Sequence, residues 1–215
     1  MKVYLEYPNI RELEIKSIHI VDIKKGIIGT FMLQKDTNVW YVMLDVLSSE
    51  LVYKFLINRE IYLNDPYGND YIVKNGEVWS KQFVEHDMTF ARTPSIGLFD
   101  IVVSNQMNCS VGASKMHKRF YRRLDKRVNI GVEFYSIKGV HELLVVWGSP
   151  DKRTYHMDYK VLEPQQEGEA YGIIVWFRML LDEVEERLLR GDWTVRILLD
   201  GVLIGMEWFR VEEIV

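Results

Sequence analysis

The 215-residue chain has a single cysteine, Cys109, and only three alanines, Ala91, Ala113 and Ala170. One thiol cannot close an internal disulfide, so a reducing, cytoplasmic location is expected, with Cys109 inert. The scarcity of alanine, the strongest helix former, counts against a helical bundle. The five histidines, His19, His86, His117, His141 and His156, show neither HxH nor HExxH spacing, so no metal site is expected. The longest apolar runs, such as residues 173–177, fall far short of the ~20 residues a membrane span needs. The first eight residues lack the apolar stretch and small-residue cleavage site of a secretory signal. Ser48, Ser49 and Ser104 lie in no G-x-S-x-G elbow, and no glycine-rich phosphate loop occurs. No motif distinguishes a carboxylate pair among the 31 acidic residues, and the chain has no room for a ~250-residue catalytic barrel. A noncatalytic, cofactor-free protein is therefore expected. Its net charge of −4 offers no global attraction to nucleic acid.

What the chain has is β-sheet chemistry. Val and Ile together fill 43 positions and aromatics make up 13%, the residue types that suit pleated, half-buried surfaces. Short strands are expected over 11–23 (with a phase slip at Ser17), 27–33, 39–46, 51–57, 60–63 and 78–84. Tight turns are expected at Asn58-Arg59 and Asn75-Gly76, because both positions of such a turn tolerate positive φ. After a weaker stretch carrying one strand-like run over 98–103, the pattern resumes at 128–135, 142–147, 154–161, 171–180, 193–199 and 202–211. Asp200-Gly201 is the clearest hairpin turn. A short helix is expected over 182–190, with Glu183–Arg187 and Glu186–Arg190 as i,i+4 pairs and Gly191 as its stop. The fold class is all-β: two tandem sandwiches, with domains at 1–85 and 128–215 and a connecting segment over 86–127.

Residues 39–46 (Val-Trp-Tyr-Val-Met-Leu-Asp-Val), Tyr53-Lys54-Phe55, Asn64-Asp65-Pro66 and Asn75-Gly76-Glu77-Val78-Trp79 resemble the carbohydrate-binding modules of family 48. These include the glycogen-binding domain of AMP-activated protein kinase β subunits and N-terminal domains of isoamylases and branching enzymes. The resemblance covers about 45 residues and implies an immunoglobulin-like sandwich that binds α-glucan oligosaccharides. It implies a sugar site at Trp40, Lys54, Tyr62 and Trp79. Lys54 matches the family's sugar-contacting lysine and Tyr62 is the nearest aromatic before Asn64-Asp65-Pro66. Ile27 and Ile28 stand where a stacking tryptophan belongs, so half of the constellation is absent. The alternative is a protein-interaction or scaffold subunit with no sugar ligand, pairing with a partner or with its own copy. The second half, through Gly191, Trp193, Val195, Ile197, Asp200, Gly201 and Gly205, resembles the terminal hairpin of immunoglobulin-like accessory domains, which implies architecture alone.

Residues 115–127 hold seven Lys/Arg. On a helix, Lys118, Arg122 and Lys126 would join Arg119, Arg123 and Arg127 in one cationic flank able to meet a polyanion; a solvated linker is the plainer reading. Of the six tryptophans, at least four are expected to be buried core residues.

Overall fold

The computed structural model describes residues 2–84, 95–107, 117–163, 173–185, 187 and 190–213. Nine strands come first: β1 (Lys2–Pro8), β2 (Ile18–Asp22), β3 (Gly26–Thr30), β4 (Met32–Gln34), β5 (Val39–Asp45), β6 (Glu50–Ile57), β7 (Ile61–Leu63), β8 (Asp70–Lys74) and β9 (Glu77–Phe83). Eight follow: β10 (Ser95–Ser104), β11 (Arg119–Tyr121), β12 (Arg127–Lys138), β13 (His141–Gly148), β14 (Thr154–Leu162), β15 (Ile173–Leu180), β16 (Gly191–Leu199) and β17 (Val202–Glu212). The chain forms two compact units. Unit 1 is Met1–Thr93 with Val140–Glu142 and Asp200–Val202; unit 2 is Pro94–Gly139, Leu143–Leu199 and Leu203–Val215. The protein is all-β, built as two sandwiches.

In unit 1, a three-stranded sheet, β1-β5-β4, accompanies a larger one ordered β3-β2-β6-β9-β8, with β7 also paired to β6. Alternation decides the faces. In β1, Val3, Leu5 and Tyr7 are buried while Lys2, Tyr4 and Glu6 are exposed, because successive strand side chains point to opposite sides. The core gathers on Phe55, whose ring meets Phe31 at 5.0 Å, Tyr53 at 5.6 Å and Tyr7 at 5.7 Å. Phe31 is also the single residue between β3 and β4. The single strand expected over 27–33 is split there: β3 pairs with β2, and β4 crosses to β5 in the other sheet. The strand expected from residue 11 begins only at Ile18. Arg11–Leu13 is a 3₁₀ turn closed by Glu14 in the left-handed region, φ 46°, so the slip near Ser17 marks a strand start rather than a bulge.

In unit 2, the first, third and sixth strands form the sheet β10-β12-β15. The second, eighth, seventh, fourth and fifth form β11-β17-β16-β13-β14, with β11 parallel to β17. That is the strand order of an immunoglobulin-like sandwich, and Trp147 is buried on the fourth strand where that fold keeps a core tryptophan. Aromatic packing fills the centre: Trp193 stacks on Phe209 at 6.1 Å, and Phe209 meets Phe120 edge-on at 5.4 Å. Both flanking hairpin turns have the conformation expected of them. Asn75 and Gly76 have φ 55° and 79°, Asp200 and Gly201 φ 51° and 82°, and Asn58-Arg59 likewise turns with both φ positive.

Four expectations need correction. Residues 95–104 and 119–121, placed in a connecting segment over 86–127, are strands of unit 2, because β10 supplies the partner that β12 needs on its free edge. The basic run is no helix over its described part. Phe120 is fully buried, which a strand beside β17 achieves while its Arg119 and Tyr121 neighbours face away; Lys115 and Met116, like Cys109, lie outside the described residues. The helix expected over 182–190 is present at Arg187 but not at its expected start, where residues 181–183 form a turn. Arg187 donates to Glu185 at 2.7 Å, and residues 186, 188 and 189 lie outside the described residues. Three tryptophans rather than four are buried: Trp40, Trp147 and Trp193. Trp79 and Trp176 are half-buried, and Trp208 is 54% exposed.

Candidate functional site

The four residues that the sugar-module resemblance singled out fall in different settings. Trp40 on β5 is buried, and its indole N–H donates to Asn9 Oδ1 at 3.1 Å. Tyr62 on β7 is exposed, and Trp79 on β9 is half-buried. Lys54 on β6 is only 4% exposed. The ladders Tyr53↔Ser80 and Phe55↔Leu63 place Lys54 where β6 changes partner from β9 to β7. Trp79 precedes Ser80 on β9 and Asn64 follows Leu63 of β7, so both flank this change of partner. Lys54 and Trp79 come together, with Nζ 5.4 Å from the ring centroid. Tyr62 shares their sheet face; Trp40 belongs to the other sheet.

Lys54 leads instead into a buried polar network. Its Nζ donates to Glu142 Oε1 at 2.9 Å, and Glu77 Oε2 lies 3.6 Å away. The second oxygen of the same carboxylate, Glu142 Oε2, accepts from Asn64 Nδ2 at 2.9 Å. Ser80 Oγ–H donates to Asn64 Oδ1 at 3.1 Å and in turn accepts the Asp65 N–H at 2.7 Å. Asp65 accepts the Tyr53 hydroxyl at 2.5 Å. The segments Val140–Glu142 and Asp200–Val202 complete unit 1: Glu142 N–H donates to Asp200 Oδ1 at 2.9 Å, His141 Nδ1 lies 2.7 Å from Asp200 Oδ2, and Tyr7 OH donates to Gly201 O at 2.8 Å.

Burial drives the titration behaviour of this network. Desolvation pushes the Glu142 carboxyl above its ordinary range; Lys54 opposes that rise, and Asp200 and Glu77 reinforce it. Tyr53 and Tyr7 are pushed up by burial first and by the Asp65 charge second.

Two accessible features stand outside the network. A cleft of about 450 Å³ opens between the β2–β3 turn and the ends of β5 and β6, lined by Asp22, Lys24, Lys25, Asp45 and Glu50 over Leu44 and Leu51. It holds no aromatic face against which a pyranose could stack. The second feature is the outer face of the β1-β5-β4 sheet. Tyr4 pairs across the ladder with Met43, and Met32 with Tyr41. The two tyrosine rings sit 6.1 Å apart at 32°, and Tyr4, Met32 and Met43 are all more than half exposed.

Asn64, Ser80, Glu142 and Asp200 did not emerge from the sequence as a group. The available signal was charge inside apolar runs. Lys54 interrupts Val-Tyr-Lys-Phe-Leu-Ile, and Glu142 heads Leu-Leu-Val-Val-Trp. Two opposite charges in buried strands must find each other or lose their charge.

No protein-family model matches the chain, and no curated protein matches it. Solved structures similar to it include the alkylpurine DNA glycosylase AlkC of Pseudomonas fluorescens bound to DNA containing an abasic site analog, at 12% identity over 54% of this chain and 30% of that one, TM-score 0.34. An immunoglobulin-like protein of Pseudomonas aeruginosa aligns at 13% identity over 55% of this chain and 97% of its own, TM-score 0.33. A β-glucuronidase of Bacteroides uniformis aligns at 13% identity over 96% of this chain and 25% of its own, TM-score 0.30. These scores are too low to bear on function, and the immunoglobulin-like assignment of unit 2 rests on its strand order.

Proposed function

We propose that the chain is a noncatalytic binding protein that meets a protein partner through the outer face of the β1-β5-β4 sheet. The observation that carries this reading is the group formed by exposed Tyr4, Met32 and Met43 with half-buried Tyr41 on that face. Tyrosine and methionine are enriched in protein interfaces, where a rigid ring covers area at low entropic cost and a flexible thioether adapts to the partner's surface. Lys2, Glu6, Gln34 and Asp45 alternate in the same ladders and supply a polar rim. A photo-crosslinking amino acid at position 43 tests the reading in the native cell. A reproducible adduct that disappears on Tyr41→Ser supports it, and the absence of any adduct at position 43 refutes it.

The resemblance to family 48 modules motivates a second reading, α-glucan binding. Tyr62 and Trp79 remain accessible on one sheet face, whereas Lys54 and Trp40 are enclosed. Titration with maltoheptaose, followed by tryptophan fluorescence, should shift Trp79 emission at millimolar sugar if this reading holds. An unchanged spectrum removes it.

A further inference from the structure

Lys54, Asn64 and Glu142 are arranged as reactants. Lys54 and Asn64 flank the last pair of the β6–β7 ladder, Phe55↔Leu63. The amine and the amide nitrogen each contact one oxygen of a single carboxylate, both at 2.9 Å. The amide oxygen accepts a hydroxyl hydrogen bond from Ser80. All four side chains are buried: Lys54 and Glu142 are 4% exposed, Asn64 and Ser80 0%.

We propose that the chain joins Lys54 to Asn64 by an intramolecular isopeptide bond, with Glu142 carrying the protons and Ser80 holding the developing oxyanion. The ammonium of Lys54 first passes a proton to the Glu142 carboxylate, which leaves a free amine. Nζ attacks Cγ of Asn64, and the negative charge that forms on Oδ1 is met by the Ser80 Oγ–H. The Glu142 carboxyl protonates Nδ2 and takes a proton back from Nζ. The Cγ–Nδ2 bond then breaks, and ammonia leaves. The products are one secondary amide, one ammonia and a protonated Glu142. No oxidant, metal or cofactor enters the balance. Each chain reacts once.

The driving force is the removal of two buried charges. Separated from water, an ion pair keeps much of its desolvation penalty, whereas an amide beside a neutral carboxyl does not. Burial also raises the Glu142 carboxyl, which favours the protonated state that the product requires.

Intact-mass and peptide-mapping mass spectrometry of the full-length protein test the proposal. The expected mass is lower than that of the sequence by one ammonia. Trypsin should fail to cut after Lys54, and peptides 36–59 and 60–74 should appear as one branched species whose fragments place the link at Lys54 and Asn64. The loss should vanish in Lys54→Met and be greatly slowed in Glu142→Gln. A wild-type protein that keeps its full sequence mass, with normal cleavage at Lys54, overturns the proposal. So does an ammonia loss that persists in Lys54→Met, since a succinimide at Asn64-Asp65 loses the same mass without the lysine. The wild-type map decides the matter even if a variant fails to fold.

Discussion

At the scale of single residues, Glu142 has the most distinctive behaviour. Its carboxyl is held above the ordinary range in the folded chain, mainly by desolvation, so the folded state keeps a proton that the unfolded state releases. The associated stability is fully present below the unfolded carboxylate value and is lost as pH rises through the folded value. Urea denaturation should therefore show this contribution declining from about pH 4.5 upward, and Glu142→Gln should flatten that part of the profile. A Glu142→Gln profile that runs parallel to the wild type over the same range contradicts the assignment. Tyr53→Phe removes a 2.5 Å bond to buried Asp65, and chemical denaturation should register a loss of ~1–3 kcal/mol. Phe55→Ala empties the point on which three rings converge; a loss of ~3–5 kcal/mol is expected from the same measurement.

At the scale of elements, the turns and the close approaches between strands matter most. The Asp200-Gly201 hairpin needs positive φ at both positions, and a Cβ at 201 would fall 2.0 Å from the Asn64 carbonyl oxygen. Gly201→Ala therefore strains the turn and displaces the segment carrying Asn64. Its thermal midpoint should drop well below that of Gly76→Ala, a turn where the added methyl meets nothing within 4 Å. Equal midpoints would show that the 201 contact relaxes freely. Most strands could be read from alternation and turn residues, since period-2 patterns and Asn-Gly or Asp-Gly pairs act within a few residues of themselves. The elements that misled do so for local reasons. Leu13 and Ile15 mimic a strand although the chain is in a 3₁₀ turn, and Phe31 reads as one strand's middle while it links two sheets.

At the scale of the whole molecule, charge bears on partner choice. The basic run looked like a polyanion site because its cations recur every four residues. Laid out as a strand and turn, its charges disperse: Lys118 pairs with Glu207 and lies over the Trp208 ring at 5.3 Å. With net charge −4, heparin retention should be negligible at physiological salt and unchanged in Lys118→Glu/Arg122→Glu. Strong retention that this double variant abolishes would restore the polyanion reading.

Composition and short-range pattern were enough to specify an all-β chain, its hairpin turns and the second sandwich, because those properties depend on neighbours one to four residues away. Which strands share a sheet, and that Lys54 and Asn64 both bond to Glu142, 88 residues beyond Lys54, emerged only once the chain had folded. A buried charge finds its partner through packing across the core, and no local periodicity encodes that distance.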